Sequence, residues 1–227
     1  VSEGPLDHRG QIQGILVFTS RIHFVTIKAE DLGKKFGNEW VFRHLEMEFR
    51  PGKRYAITGH NGSGKSTLLK ILAGNLPASA GKLTYSLVGQ PIEEDAFFRH
   101  IAYVAPYLDL IEEFTLAEAI AFHQRFKPLR ANATDLMTIL GFEKVADRPL
   151  SQFSSGMKQK VKLGLALYTD CQVLLLDEPT ANFDQANTQW YLDEMKRTAH
   201  KLIIICSNQQ HEYADCEEII NIADLKK

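Results

Sequence analysis

Apolar and polar residues alternate where the regular part of the chain begins. Val25, Ile27 and Ala29 fall on one side and polar residues lie between them, the pattern of a half-buried edge strand. Gly33 and Gly37 predict a break, after which Leu45, Met47 and Phe49 alternate again up to a turn at Pro51-Gly52. Residues 54–58 read as a short apolar strand and 68–73 as a helix stopped by Gly74. Further along, 77–81 predicts a turn, 82–88 a strand, and 101–104 a short buried strand ended by Pro106.

Between 115 and 170 the period becomes helical. Thr115 with Glu118 three residues later predicts a capped helix start, 132–140 a second helix ending at Gly141, and 155–168 a third. Strand-helix alternation then returns. Residues 173–176 form an unbroken apolar run, as in a strand covered on both faces. A helix over 187–198, a strand over 202–206, a helical turn at 211–214 and a last strand at 219–222 follow. The order predicts a mostly parallel α/β core with a small β-rich layer and a helical subdomain at about 106–170.

A chain of 227 residues can bury one sizeable core, and 44% apolar with 24% charged residues is ordinary for a globular domain. Residues 1–24 begin with Val1 and are rich in glycine, charge and glutamine. They are expected to be an N-terminal extension or a tail added by cloning, with the domain proper spanning 25–227. A net charge of −2 gives no bulk electrostatic case for nucleic acid, so no nucleic-acid partner is expected. No apolar run is long enough to span a bilayer, and Cys171, Cys206 and Cys216 lack metal-ligand spacing. They favour a reducing, cytoplasmic setting.

The chemistry concentrates in Gly59-His60-Asn61-Gly62-Ser63-Gly64-Lys65-Ser66-Thr67, which matches G-x-x-x-x-G-K-[ST] between a predicted strand and a predicted helix. Such a loop curls its backbone N–H groups around phosphate, with the helix start adding a favourable dipole. Lys65 is suited to the β and γ phosphates and Ser66 to Mg2+. Asp177 ends the apolar strand and Glu178 follows it. A carboxylate at the C-terminal end of a central strand can hold Mg2+, and its neighbour can orient a water as general base.

With Phe153-Ser154-Ser155-Gly156-Met157-Lys158-Gln159 added in this order, the chain resembles an ABC-type ATPase, the nucleotide-binding domain of ATP-binding cassette transporters, over roughly residues 25–222. The resemblance implies a P-loop fold of ABC type, with a mostly parallel core sheet, an antiparallel β subdomain and a helical subdomain. It implies ATP and Mg2+ as ligands: Ser66 and Asp177 on the metal, and Glu178, Lys65 and Asn208 at the reaction. Phe36 would stack on adenine, with Trp40 as the competing aromatic. Ser154, Ser155 and Gly156 would face the γ-phosphate held by a second copy, and Asp184 would belong to the loop that crosses the dimer.

Two positions depart from the family pattern. Pro106 stands where a glutamine is usual, and Asn208 where a histidine is usual. Neither replaces the lost group fully, since Pro has no side-chain donor and Asn carries no charge. Slow turnover is the expectation, and Gln209, Gln210 and His211 lie close enough in sequence to compensate if the loop is shifted. The resemblance further implies a homodimer closed over two ATP molecules. It would drive a transmembrane permease from the cytoplasmic face of the cell membrane, with docking at 106–115 through Leu108, Leu110, Ile111 and Phe114. The alternatives are a soluble assembly ATPase of the iron–sulfur scaffold type and a poorly hydrolysing nucleotide-gated regulatory subunit.

Overall fold

The computed structural model describes residues 24–198 and 201–226; the N-terminal extension expected at 1–24 lies, but for Phe24, outside them. In chain order the elements are β1 (Val25–Phe36), β2 (Glu39–Phe49), β3 (Arg54–Thr58), α1 (Lys65–Leu72), β4 (Ala80–Leu87) and β5 (Gln90–Ile92). They continue with α2 (Glu94–Phe97), β6 (Ile101–Val104), α3 (Leu116–Phe126), α4 (Ala133–Leu140), α5 (Ser155–Tyr168) and β7 (Val173–Asp177). Last come α6 (Gln185–Lys196), β8 (Leu202–Cys206) and β9 (Glu218–Asn221).

Five strands form a parallel sheet in the order β6-β7-β8-β3-β9, and four form an antiparallel sheet in the order β2-β1-β4-β5. Alternation along β7 and β8 sends their side chains to two cores. Val173 and Leu175 of β7 and Ile204 of β8 join the core shared with α1 and the antiparallel sheet. Leu174, Leu176, Ile203 and Ile205 join the core beneath α5 and α6. Burial on both faces explains why these strands read as continuous apolar runs. A third core, where α3, α4 and α5 pack together, gathers Leu116, Ile120, Leu136, Leu140, Val161 and Leu165.

The break expected at Gly33 is absent. β1 continues to Phe36, and register shifts between Ala29 and Leu32 and again between Leu32 and Lys35 absorb the irregularity while pairing with β2 persists. The helix expected at 187–198 instead starts at Gln185, because the Asp184 carboxylate caps it by accepting from the Asn187 amide at 2.8 Å. β5 and α2 had no counterpart in the sequence reading, being too short to show a period.

The helix start at Thr115 has both halves of a capping box. Thr115 Oγ1 accepts from the Glu118 amide at 3.2 Å, and Glu118 Oε2 accepts from the Thr115 amide at 2.8 Å. Thr115→Ala is expected to cost about 1 kcal/mol and to lower the thermal midpoint by about 2–4 °C, as read by calorimetry. No loss would mean that packing around Leu116 alone sets the helix start.

Candidate functional site

Four parallel strands end on the same edge of their sheet, at Thr58, Val104, Asp177 and Cys206. The loops that leave them carry the chemistry, as expected at the C-terminal edge of an open α/β sheet. After β3 the chain curls through residues 59–64 into α1. Gly64 caps that helix with φ 111, and a Cβ there would lie 2.2 Å from Val41 Cγ1. Only glycine allows both the left-handed turn and this approach of β2 to the loop.

A cleft of about 360 Å3 lies over this turn, lined by Phe36, Val41, Asn61, Gly62, Gly64, Lys65, Ser66, Thr67 and Glu178. Phe36 is 55% exposed at its rim with the Lys34 ammonium 5.1 Å from the ring centre. Trp40 does not line the cleft; its ring packs with Lys35 instead. Gly59 and Ser63 do not line the cleft, and the Ser63 hydroxyl is buried without a hydrogen-bond partner among the described residues. Lys65 is buried and folds back onto its own loop, with Nζ donating to Gly59 O at 2.7 Å and His60 O at 3.3 Å. Those carbonyls hold the ammonium at the wall of the cleft.

Asp177 is buried, and its Oδ2 has no partner among the described residues. Burial pushes its carboxyl up from the usual range, while a hydrogen bond from Ser66 and the charge of Lys65 oppose that shift. A buried carboxylate with one oxygen left without a partner suits a hard divalent cation. Mg2+ asks for only one or two protein oxygens when phosphates supply the rest. The residues therefore fit Mg2+ at Ser66 and Asp177.

Glu178 has φ 44 and donates its amide to Cys206 O at 2.8 Å. A left-handed non-glycine residue costs about 1–2 kcal/mol. Glu178 lines the cleft from this backbone conformation. From the next strand, Asn208 Nδ2 donates to Asn61 Oδ1 at 2.6 Å, so the end of β8 is joined to the phosphate loop. His211 faces elsewhere, 3.3 Å from Thr180 Oγ1. Glu212 Oε1 accepts from the Thr180 amide at 2.7 Å and also from its hydroxyl. Sequence reasoning missed this buried tie, since nothing local relates residues 32 positions apart.

Ser154, Ser155, Gly156 and Asp184 do not line the cleft of their own chain. Ser154 caps α5 by accepting from the Met157 amide at 3.2 Å, and Ser155 is the first residue of that helix. A Cβ on Gly156 would lie 2.8 Å from Asn182 O, so the start of α5 packs against the loop that ends at Asp184. Pro106 lies on the loop after β6, followed by Tyr107, whose hydroxyl meets that of Tyr103. The aromatic at 107 was visible in the sequence, but its direction was not.

Beside this loop an apolar groove of about 310 Å3 is lined by Leu108, Leu110, Ile111, Phe114, Phe122 and Phe126 among others. Phe114, Phe122 and Phe126 run edge to face along its wall.

The ABC transporter family model matches residues 42–181. The sulfate/thiosulfate import ATP-binding protein of Nitrosomonas europaea is 30% identical over 217 residues, covering 88% of this chain and 57% of that protein. The chain thus spans less than two thirds of the length of this relative and of two further sulfate import relatives. The lipoprotein-releasing system ATP-binding protein of Caulobacter vibrioides is 29% identical over 218 residues, covering 87% of this chain and 92% of its own length. Among solved structures, a dimeric bacterial ABC transporter cassette superposes with a TM-score of 0.74 at 21% identity, covering 86% of this chain and 94% of the cassette. A putative ABC transporter ATP-binding protein from Pyrococcus furiosus gives 0.75 at 20% identity over 89% of this chain and all of the other.

Proposed function

The chain belongs to the ABC transporter family, and on that premise we propose that it is a transporter's ATP-binding subunit, hydrolysing Mg-ATP to ADP and phosphate to drive a membrane partner. The observation that carries this reading is the meeting of Lys65, Ser66 and Glu178 in one cleft, with Asp177 buried at the end of β7 and its Oδ2 without a partner among the described residues. In this reading Phe36 stacks on the base, the amides of 61–66 and Lys65 hold the phosphates, and Ser66 and Asp177 hold Mg2+. Mg2+ held there would supply positive charge against the phosphates. Glu178 accepts a proton from water as the water oxygen bonds to the γ-phosphorus and the bond to the bridging oxygen breaks. Asn208 reaches the same edge as a neutral donor.

A second copy completes the site, because Ser154, Ser155, Gly156 and Asp184 lie outside the cleft of their own chain. An N-terminus capped at Ser154 has the free amides to meet a γ-phosphate opposite it. The groove beside 106–115 suits an apolar segment of a permease, and Lys162 at its edge reaches Ala105 O and Pro106 O only at 3.4 and 3.5 Å. No helix among the described residues is long and apolar enough to cross a membrane. The proposed place is the inner face of the cell membrane, bound through that partner. Relatives named for transport favour this over an iron–sulfur assembly role. Pro106 and Asn208 favour slow turnover.

The test is steady-state hydrolysis of Mg-ATP by the purified chain, with Lys65→Ala as the blank. Removing the ammonium should weaken ATP binding at least about 100-fold, the scale of losing a buried charged contact to phosphate. Turnover well above the blank is the expected result. Rates equal to the blank, with ATP bound by the unaltered chain, would overturn hydrolysis and leave a nucleotide-gated clamp.

A further inference from the structure

Two lysines at the end of β1 stand over aromatic rings, Lys34 over Phe36 and Lys35 over Trp40. Lys35 is exposed, and the Trp40 ring lies outside the nucleotide cleft. Lys34 differs in both respects. Its side chain is buried, at 8% exposure, and the ring beneath it lines the cleft. The separation of 5.1 Å between Lys34 Nζ and the ring centre is within the range of a cation–π contact.

An ammonium this buried is costly unless something meets its charge. Pro77 O accepts from Lys34 Nζ at 2.7 Å, and the Phe36 ring offers its negative face. Pro77 lies in the turn after α1, and that turn is clipped to the same end of β1. The Ser79 amide donates to Gly33 O at 2.8 Å, and the Lys35 amide donates to Ser79 Oγ at 3.2 Å. α1 itself starts at Lys65. Lys34 therefore joins the ring at the cleft rim to the turn that closes the helix of the phosphate loop.

We propose that Lys34 is a positioning residue for the nucleotide base: it fixes the Phe36 ring at the rim and draws π charge toward itself, preparing the other face of the ring for adenine. The proposal rests on reading the cleft as an ATP site with Phe36 as its aromatic. A half-exposed ring without a neighbour over its face would have to be ordered by the base on binding, at a cost in affinity. With a buried cation over one face, that ordering is in place before the base arrives. The electron-rich face of a purine then meets a ring whose π charge has been drawn off. Lys34 does not line the cleft, so its effect belongs to ligands that carry a base.

The experiment titrates the full chain by calorimetry with Mg-ATP and with tripolyphosphate, which lacks the base. Lys34→Met keeps the reach of the side chain and removes its charge. It should weaken ATP about fivefold, the scale of one cation–π contact, and leave tripolyphosphate unchanged. Lys34→Arg should bring ATP back to within about twofold of the unaltered chain. Phe36→Leu should weaken ATP by itself, and Lys34→Met added to it should weaken ATP no further. Unchanged ATP affinity in Lys34→Met would overturn the proposal. So would an equal loss for ATP and tripolyphosphate, the mark of a general charge or a support of the fold, and so would the same loss in the Phe36→Leu background. Where tripolyphosphate binds too weakly to measure, the comparison with Phe36→Leu decides alone. ATP binding that ignores both residues would put the base elsewhere, so the proposal would fall while the ATP reading stands. A chain that binds neither ligand ends both.

Discussion

Glu178→Gln should lower Mg-ATP turnover by about 100- to 10,000-fold while leaving ATP bound. Gln has the shape of Glu and can still accept a hydrogen bond from water, but it cannot take the proton. The substitution changes little else. Residue 178 keeps its left-handed backbone and its amide bond to Cys206 O whichever of the two side chains it carries. The strain is common to both proteins, so their thermal midpoints should agree. Bound ATP that is not hydrolysed should also lengthen the life of any ATP-closed pair of chains, which sedimentation with and without nucleotide would read. Turnover above a tenth of the unaltered rate would move the base to another residue.

Gly81→Ala should be among the most damaging single changes to the fold. Gly81 has φ 76, and a Cβ there would lie 2.1 Å from Asp31 O and 2.4 Å from both Asp31 C and Glu30 O. Those are backbone atoms of β1, at the place where Asp31 bulges with φ 49. No rotamer can yield, so β4 or β1 must shift. The left-handed backbone costs about 1–2 kcal/mol and forced displacement about 1–3 more. At about 2–4 °C per kcal/mol for a chain of this size, the midpoint should fall by roughly 4–20 °C. Gly89→Ala is the control, with φ 79 and nothing within 4 Å of its Cβ. It carries the backbone cost alone. Equal midpoints for the two variants would show that β1 and β4 part easily at the bulge.

The phosphate loop, the two carboxylates and the capped helices were legible because each is local. Spacing along the chain carries the whole signal at 59–67, at Thr115 with Glu118, and at Ser154. Buried strands were legible for a related reason: Leu174 and Leu175 face different cores, so both had to be apolar. The contacts across the site were not. Asn208 to Asn61 spans 147 positions, and the choice of Phe36 over Trp40 depends on how β1 and β2 pair around their register shifts. Asp184 is local again, since its carboxylate caps α6 three residues before Asn187.

The bond between Thr180 and Glu212 adds a buried tie between the loops that follow β7 and β8. Thr180 begins the stretch that runs past Gly156 to Asp184, and Glu212 ends the stretch that starts at Asn208. Sliding one loop without the other would strip a buried carboxylate of both donors to Oε1 while its Oε2 has none among the described residues. Such a loss costs more than most single contacts can return. The loops after β7 and β8 are thus held in step, because shifting one past the other would break this buried contact.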